Sequence, residues 1–349
     1  MRQSATSTTS TPLDFSRELA RYGPEQAGEL GPRLAAHYCR TWATGHYENF
    51  TVVSLLLPRR YRQDFANLYA FCRWSDNLAD EIPDPRERAR LLDWWQSELD
   101  RCFAGRARHP VLLALQSTVA RYDLDKEPFA DLLSAFRQDQ AVFRYETHQQ
   151  LEAYCLRSAA PVGRILLHMA GVHEQEARPM SDQICIGLQL ANFCQDMARD
   201  AKLGRIYAPG CLWEVHGVTE EMLLAGQCTA ELQSLLGDWV ARGREQLLQG
   251  WPLLNMVPRW LQASLDLFVR GGLEILQVIE RAEWDVWTCR PTLSKWTKGR
   301  LVARSLWARS FLSRRLSSPA CDGALRPNRR LGSLTLGPSG DRTEVRRHG

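Results

Sequence analysis

Apolar residues recur every three or four positions through most of this chain. The pattern runs through Arg60–Glu81, Pro85–Cys102, Pro110–Tyr122, Pro128–Gln140, His148–Gly171, Ser181–Ala201, Thr219–Ala225, Thr229–Leu248 and Pro258–Ala282. Each stretch reads as a helix with one apolar face. Breaks are expected at Pro83/Pro85, Pro110, Pro128, Gly171, Pro209 and Pro252, where proline or glycine interrupts helical hydrogen bonding. Strand-like alternation is essentially absent and no repeat period emerges. A single all-α domain over 14–316 is expected. It would be flanked by disordered tails, a Ser/Thr-rich one over 1–13 and a basic one over 317–349.

Two positions complicate the helical pattern. Pro161 sits inside His148–Gly171 among Ser158, Ala159, Ala160 and Gly163. It predicts a kink, either merely tolerated or opening room for a bulky ligand. Gly271 and Gly272 interrupt FVRGGLEIL, where close helix packing is the expected role.

Composition narrows the class. With 349 residues, 44% hydrophobic and 24% charged, the chain is ordinary for a soluble globular protein. Its net charge of +4 is too small to point to nucleic acid. The basic excess is local: Val286 to Cys321 holds no Asp or Glu but includes Arg290, Lys295, Lys298, Arg300, Arg304, Arg309, Arg314 and Arg315. Trp296, Leu301, Leu306, Trp307, Phe311 and Leu316 interleave with them. A helix here would put Arg300, Arg304, Trp307 and Phe311 on one stripe, so its faces separate poorly. Peripheral membrane contact and a solvated basic tail both stay open. The ten cysteines form no CxxC pair, which suits reduced thiols. The N-terminus lacks the apolar core of a signal peptide, and no uncharged apolar run approaches the ~18 residues of a membrane span. The expected location is cytoplasmic, with contact at the inner face of the membrane left open.

The candidate chemistry lies in two polar stripes. Tyr69, Arg73, Asp76 and Asp80 run along YAFCRWSDNLADE; Gln189, Asn192, Asp196 and Asp200 run along QLANFCQDMARD. Steps of three or four place each set on one helix face. The surrounding residues are largely apolar, so both stripes are expected to face inward. Paired inward carboxylates need counter-charge, which hard divalent cations with a polyanionic ligand would supply. Arg73 could pair with Asp76 or contact phosphate. Arg205 and Tyr207 follow in GRIYAP, offering a cation and a phenol past the helix end. A solvated acidic face is the plainer reading of either stripe alone; two of them in one helical chain favour metal and diphosphate. There is no HExxH, Gly-x-Ser-x-Gly, P-loop or GxGxxG motif.

At these residues the chain resembles the squalene/phytoene synthase family. The resemblance covers roughly His37 to Arg300. It rests on the two acidic blocks, on GRIYAP, and on DQAVFRYETHQQLEAYCLRSAAPVG between them. It implies the isoprenoid synthase fold, a terpenoid synthase-like helical barrel around an apolar cavity, with Asp76, Asp80, Asn192, Asp196 and Asp200 lining a Mg2+–diphosphate site. It also implies diphosphate contacts, or positions flanking them, for Tyr69, Arg73, Gln189, Arg205 and Tyr207. Finer blocks look most like the bacterial hydroxysqualene synthase branch of hopanoid pathways: HYENFTVVSLLLP, RQDQAVFRY, SAAPVGR, FVRGGLEIL and DVWTCRPTLSKW. Gln195 stands where many relatives have Arg, and Glu48 and Asn49 replace a common Lys and Ser. Asn77 replaces a frequent Asp off the stripe.

The expected reaction is Mg2+-assisted ionisation of an isoprenoid diphosphate, with an apolar cavity shielding the cation. Phe50, Phe71, Phe136, Phe143 and Tyr145 are candidate walls, each equally readable as core. The leading expectation is presqualene diphosphate to hydroxysqualene by water capture. Condensation of farnesyl diphosphate to presqualene diphosphate or squalene, or of geranylgeranyl diphosphate to phytoene, is the alternative within the family. An inactive scaffold partner of a synthase is the alternative outside it. Association with other squalene/hopanoid pathway enzymes stays open.

Overall fold

The computed structural model describes residues 13–26, 30–45 and 57–311. Most of both tails, and with them residues 46–56 including Glu48, Asn49 and Phe50, lie outside the described residues. Among those described no strand occurs, and the elements are α1 (Phe15–Tyr22), α2 (Pro32–Gly45), α3 (Arg59–Asp80), α4 (Pro85–Phe103), α5 (Pro110–Tyr122), α6 (Glu127–Gln138), α7 (His148–Ser158), α8 (Ala160–Met169), α9 (Ala177–Lys202), α10 (Gly210–His216), α11 (Glu220–Ala225), α12 (Ala230–Gly250), a 3-10 turn (Trp251–Asn255), α13 (Arg259–Arg281) and α14 (Lys295–Phe311).

Helix starts follow local chemistry. Asp84 accepts from the Arg86 amide ahead of Pro85, and Thr147 accepts from the Gln150 amide. Gly171 takes φ 69° just past α8, a left-handed conformation that a side chain would strain. The segment expected as one kinked helix is instead two. Ala159 leaves helical geometry (φ −123°, ψ −47°), and Pro161 falls in the first turn of α8. Having no N–H, Pro161 cannot continue the ladder onto Arg157, but in a first turn that loss costs nothing.

Two apolar groups form the interior. Phe71, Trp74, Trp95 and Phe129 centre one, and Leu190, Cys194, Trp239, Val240 and Leu276 belong to the other. Trp260 packs against both and stacks on Tyr61 at 3.9 Å. The α3 helix is set in the first group by Trp74, which meets His109 edge-on at 4.3 Å. It is also held by buried Asp64, which accepts from Thr118, Arg121 and the Tyr122 hydroxyl. The α9 helix belongs to the second group and approaches α12 closely. A Cβ on Gly187 would lie 2.8 Å from Leu247, and one on Gly250 would lie 2.5 Å from the Met180 carbonyl oxygen. Close packing also explains Gly272, where a Cβ would meet Leu188 at 2.8 Å; Gly271 has open space.

The basic segment after residue 286 includes a helix docked on α13. Leu301 and Ser305 are buried, and Ser305 donates to Asp266, which also holds Arg270 at 2.8 Å. Trp296 is 72% exposed with Arg300 over its ring. No helix among the described residues is long and apolar enough to cross a membrane.

Candidate functional site

The two stripes end on the walls of one cleft of about 310 Å3. Asp76 and Asp80 come from the C-terminal turns of α3; Gln189, Asn192 and Asp200 come from α9; Arg205 and Tyr207 come from the loop after it. The stripes therefore do face each other, but at an open mouth rather than in the interior. Asp80 is half exposed and Asn192 is exposed. Water at the mouth lets carboxylates gather there without the cost of full burial.

Arg205 lines the cleft, whereas Arg73 lies outside its lining. Arg73 pairs with Asp76 at 2.7 Å, and Arg205 reaches across the cleft to Asp80 at 3.4 Å. Asp196 is 9% exposed and does not line the cleft. Its two oxygens are both taken by the guanidinium of Arg290, which comes from the segment after α13 (Nη2 to Oδ2, 2.9 Å). Beside this pair, the Gln195 amide donates to the carbonyl of Pro291. Gln195 thus uses its side chain to fasten the 290–291 segment over the back of the second stripe. Tyr69 is part-buried on α3 and does not line the cleft.

The electrostatics of the cleft favour a cation. Burial, then the charge of Asp80, pushes the Asp76 carboxyl up to about 6. Burial, then the charge of Asp196, pushes Asp200 up to about 7. Both groups resist ionising beside like charge, and a divalent cation would reverse that cost. The donors are carboxylate and amide oxygens, the hard set that suits Mg2+. Among the described residues no three His, Cys, Asp or Glu side chains form a ready-made cage. Mg2+ commonly takes one or two carboxylates and completes its shell with phosphate and water.

The cleft also contains residues outside the two stripes. Asp139, Tyr154, Ser158 and Phe193 line it with Phe136. The Tyr154 hydroxyl donates to Asp139 at 3.0 Å, and burial pushes the Asp139 carboxyl up to about 6. Phe193 stacks on Tyr207 at 3.9 Å, making an aromatic wall. Asp139 and Tyr154 lie in the block between the two stripes, but no periodic pattern marks them; Arg290 lay in the basic run, hidden among other cations. Of the candidate aromatic walls, Phe136 lines the cleft and Tyr145 is buried beside Tyr207. Phe71 is core, packed on Phe129, and Phe143 is 43% exposed.

A family model described as squalene/phytoene synthase matches residues 43–297. The chain belongs to that family. It is 31% identical over 276 residues to the 15-cis-phytoene synthase of Synechococcus elongatus, covering 74% of this chain and 88% of that protein. The crystal structure of squalene synthase HpnC from Alicyclobacillus acidocaldarius superposes with a TM-score of 0.70 at 39% identity, covering 74% of this chain and 98% of the other. A dehydrosqualene synthase structure superposes with a TM-score of 0.73 at 22% identity, covering 80% and 98%. The all-α architecture is thus the isoprenoid synthase fold. The family's enzymes act on isoprenoid diphosphates and join them head to head.

Proposed function

We propose that this enzyme ionises presqualene diphosphate and directs water onto the resulting cation, releasing hydroxysqualene and diphosphate. The observation that carries the reading is one cleft with carboxylates on two facing helices, Arg205 reaching between them, and an aromatic wall of Phe193 and Tyr207. The chain's 39% identity to a structure described as a squalene synthase favours this branch over phytoene formation.

In this reading Asp76, Asp80 and Asp200, with the amide of Asn192, would hold Mg2+, while Asp196 is held by Arg290. Bound Mg2+ supplies charge neutralisation for the departing diphosphate. Arg73 and Arg205 turn guanidinium donors to its oxygens, and Gln189 donates from the opposite wall. Phe136, Phe193 and Tyr207 present ring faces to the cation and exclude stray water. The Tyr154 phenol, held far above its ordinary pKa by burial, stays protonated and keeps its hydrogen bond to Asp139. Hydroxysqualene formation needs no reductant.

Condensation of two farnesyl diphosphates, or of two geranylgeranyl diphosphates, is the second reading, favoured by the phytoene synthase relatives. Incubation with presqualene, farnesyl and geranylgeranyl diphosphates in turn, with Mg2+ and with or without NADPH, separates the two. Hydroxysqualene from presqualene diphosphate without NADPH is the expected product; unchanged presqualene diphosphate would reject the proposal. Peripheral membrane contact belongs to the same proposal, through exposed Trp296 and its basic neighbours. Trp296→Ser should reduce co-sedimentation with anionic liposomes, and unchanged binding removes that role.

A further inference from the structure

The stripes account for three of the four carboxylates in the cleft, and the fourth is Asp139. It sits just past the end of α6, and Ser158, at the end of α7, lines the same cleft. The two helix ends that carry them are linked, since the Arg157 guanidinium donates to Gln138. One Asp139 oxygen accepts from Tyr154; the other, and the Ser158 hydroxyl, have no hydrogen-bond partner among the described residues. Ser158 reaches the cleft because the helix breaks at Ala159, ahead of Pro161.

We infer that Asp139 and Ser158 hold the water that captures the cation, with Asp139 taking its proton. The inference rests on the proposed function and names the residues that would steer its last step. In that step the carbon–oxygen bond to diphosphate has already broken, its electron pair leaving with diphosphate. The water oxygen forms a new carbon–oxygen bond at the cationic carbon, and the proton it sheds passes to the Asp139 carboxylate. No oxidant or reductant is required. Elimination within the cleft supports the assignment. Asp76, Asp80 and Asp200 are committed to the ion, Gln189 and Asn192 are amides without basicity, Arg205 is a cation, and the Tyr154 and Tyr207 phenols are held protonated by burial. Among the side chains that line the cleft, Asp139 is the remaining base. Ser158 can both donate to and accept from the same water, so it acts as a positioning residue.

The test follows products rather than rate. Full-length enzyme, Asp139→Asn and Ser158→Ala are each given presqualene diphosphate and Mg2+ in 18O-labelled water. Diphosphate release, labelled hydroxysqualene and alkenes formed by proton loss are quantified, and urea midpoints report folding. Both variants should change which product forms more than how fast diphosphate is released. The hydroxysqualene share should fall several-fold in favour of alkenes or isomeric alcohols, and Ser158→Thr should restore much of it. An unchanged product ratio in both variants overturns the inference, as does a loss of diphosphate release that parallels the loss of hydroxysqualene. The wild-type reaction is read first. If it yields no hydroxysqualene, the proposed function fails before any variant is considered; if it does and the ratios do not move, only the water assignment fails.

Discussion

Arg205 and Asp80, 125 positions apart in the chain, meet at 3.4 Å across the mouth of the cleft and tie the end of α3 to the loop after α9. Asp80 is about half exposed, so the pair lies in water-screened surroundings and should add little to stability. A double-mutant cycle with Arg205→Ala and Asp80→Ala should give a coupling in urea unfolding below about 1 kcal/mol. Turnover should fall by roughly two orders of magnitude or more in each single variant. Large destabilisation with retained turnover would recast the pair as scaffolding.

Asp200 makes stability depend on pH in the direction opposite to that of a paired carboxylate. Its native carboxyl keeps a proton up to about 7, whereas the unfolded chain releases it near the ordinary value of 3.8. Between those values the native state binds more protons, so this contribution is full at low pH and is lost as pH rises to about 7. In metal-free buffer Asp200→Asn should therefore be more stable than wild type at about pH 8, by roughly 1 kcal/mol or more. The gap should close below about pH 4, and the variant should be inactive at every pH. An equal gap at both pH values would contradict the assignment.

Arg290 is the counter-charge of a nearly buried carboxylate. Removing it by Arg290→Ala should lower stability by about 2–3 kcal/mol, because Asp196 is left uncompensated. Adding Asp196→Asn should recover much of that loss. Urea midpoints of the two single variants and the double variant test this, and additive losses would show that the pair is not coupled.

Asp64 gives a control remote from the chemistry. It is 1% exposed and accepts from Arg121, Thr118 and Tyr122. Asp64→Ala should cost about 3–5 kcal/mol by stranding that network, while kcat per folded molecule stays near wild type. A selective loss of kcat in fully folded protein would tie this network to the cleft.

How much of this was legible beforehand differs by residue. Asp76, Asp80 and Asp200 were readable because helical spacing converts directly into a shared face. Asp196 obeys the same spacing, yet an arginine 94 positions away claims it, and no local pattern encodes that pairing. The α7–α8 break was readable as a disturbance at Pro161 but not as two helices, because a proline in a helix interior and one in a first turn look alike in sequence. Asp139 escaped notice for a related reason: a residue just beyond a helix end belongs to no periodic face.

The glycines of α9 and α12 bear on the carboxylates from behind. Gly187 stands nine residues before Asp196, about 14 Å along the helix, and it rests almost directly on Leu247. A helix is stiff over that length, so a methyl group added at Gly187 or Gly250 would tilt it as a lever tilts about a fulcrum. The front of the lever carries Asn192 and Asp200. The width of the mouth is thereby gauged by two absent side chains, one on the back of α9 and one on α12 where it packs against that back.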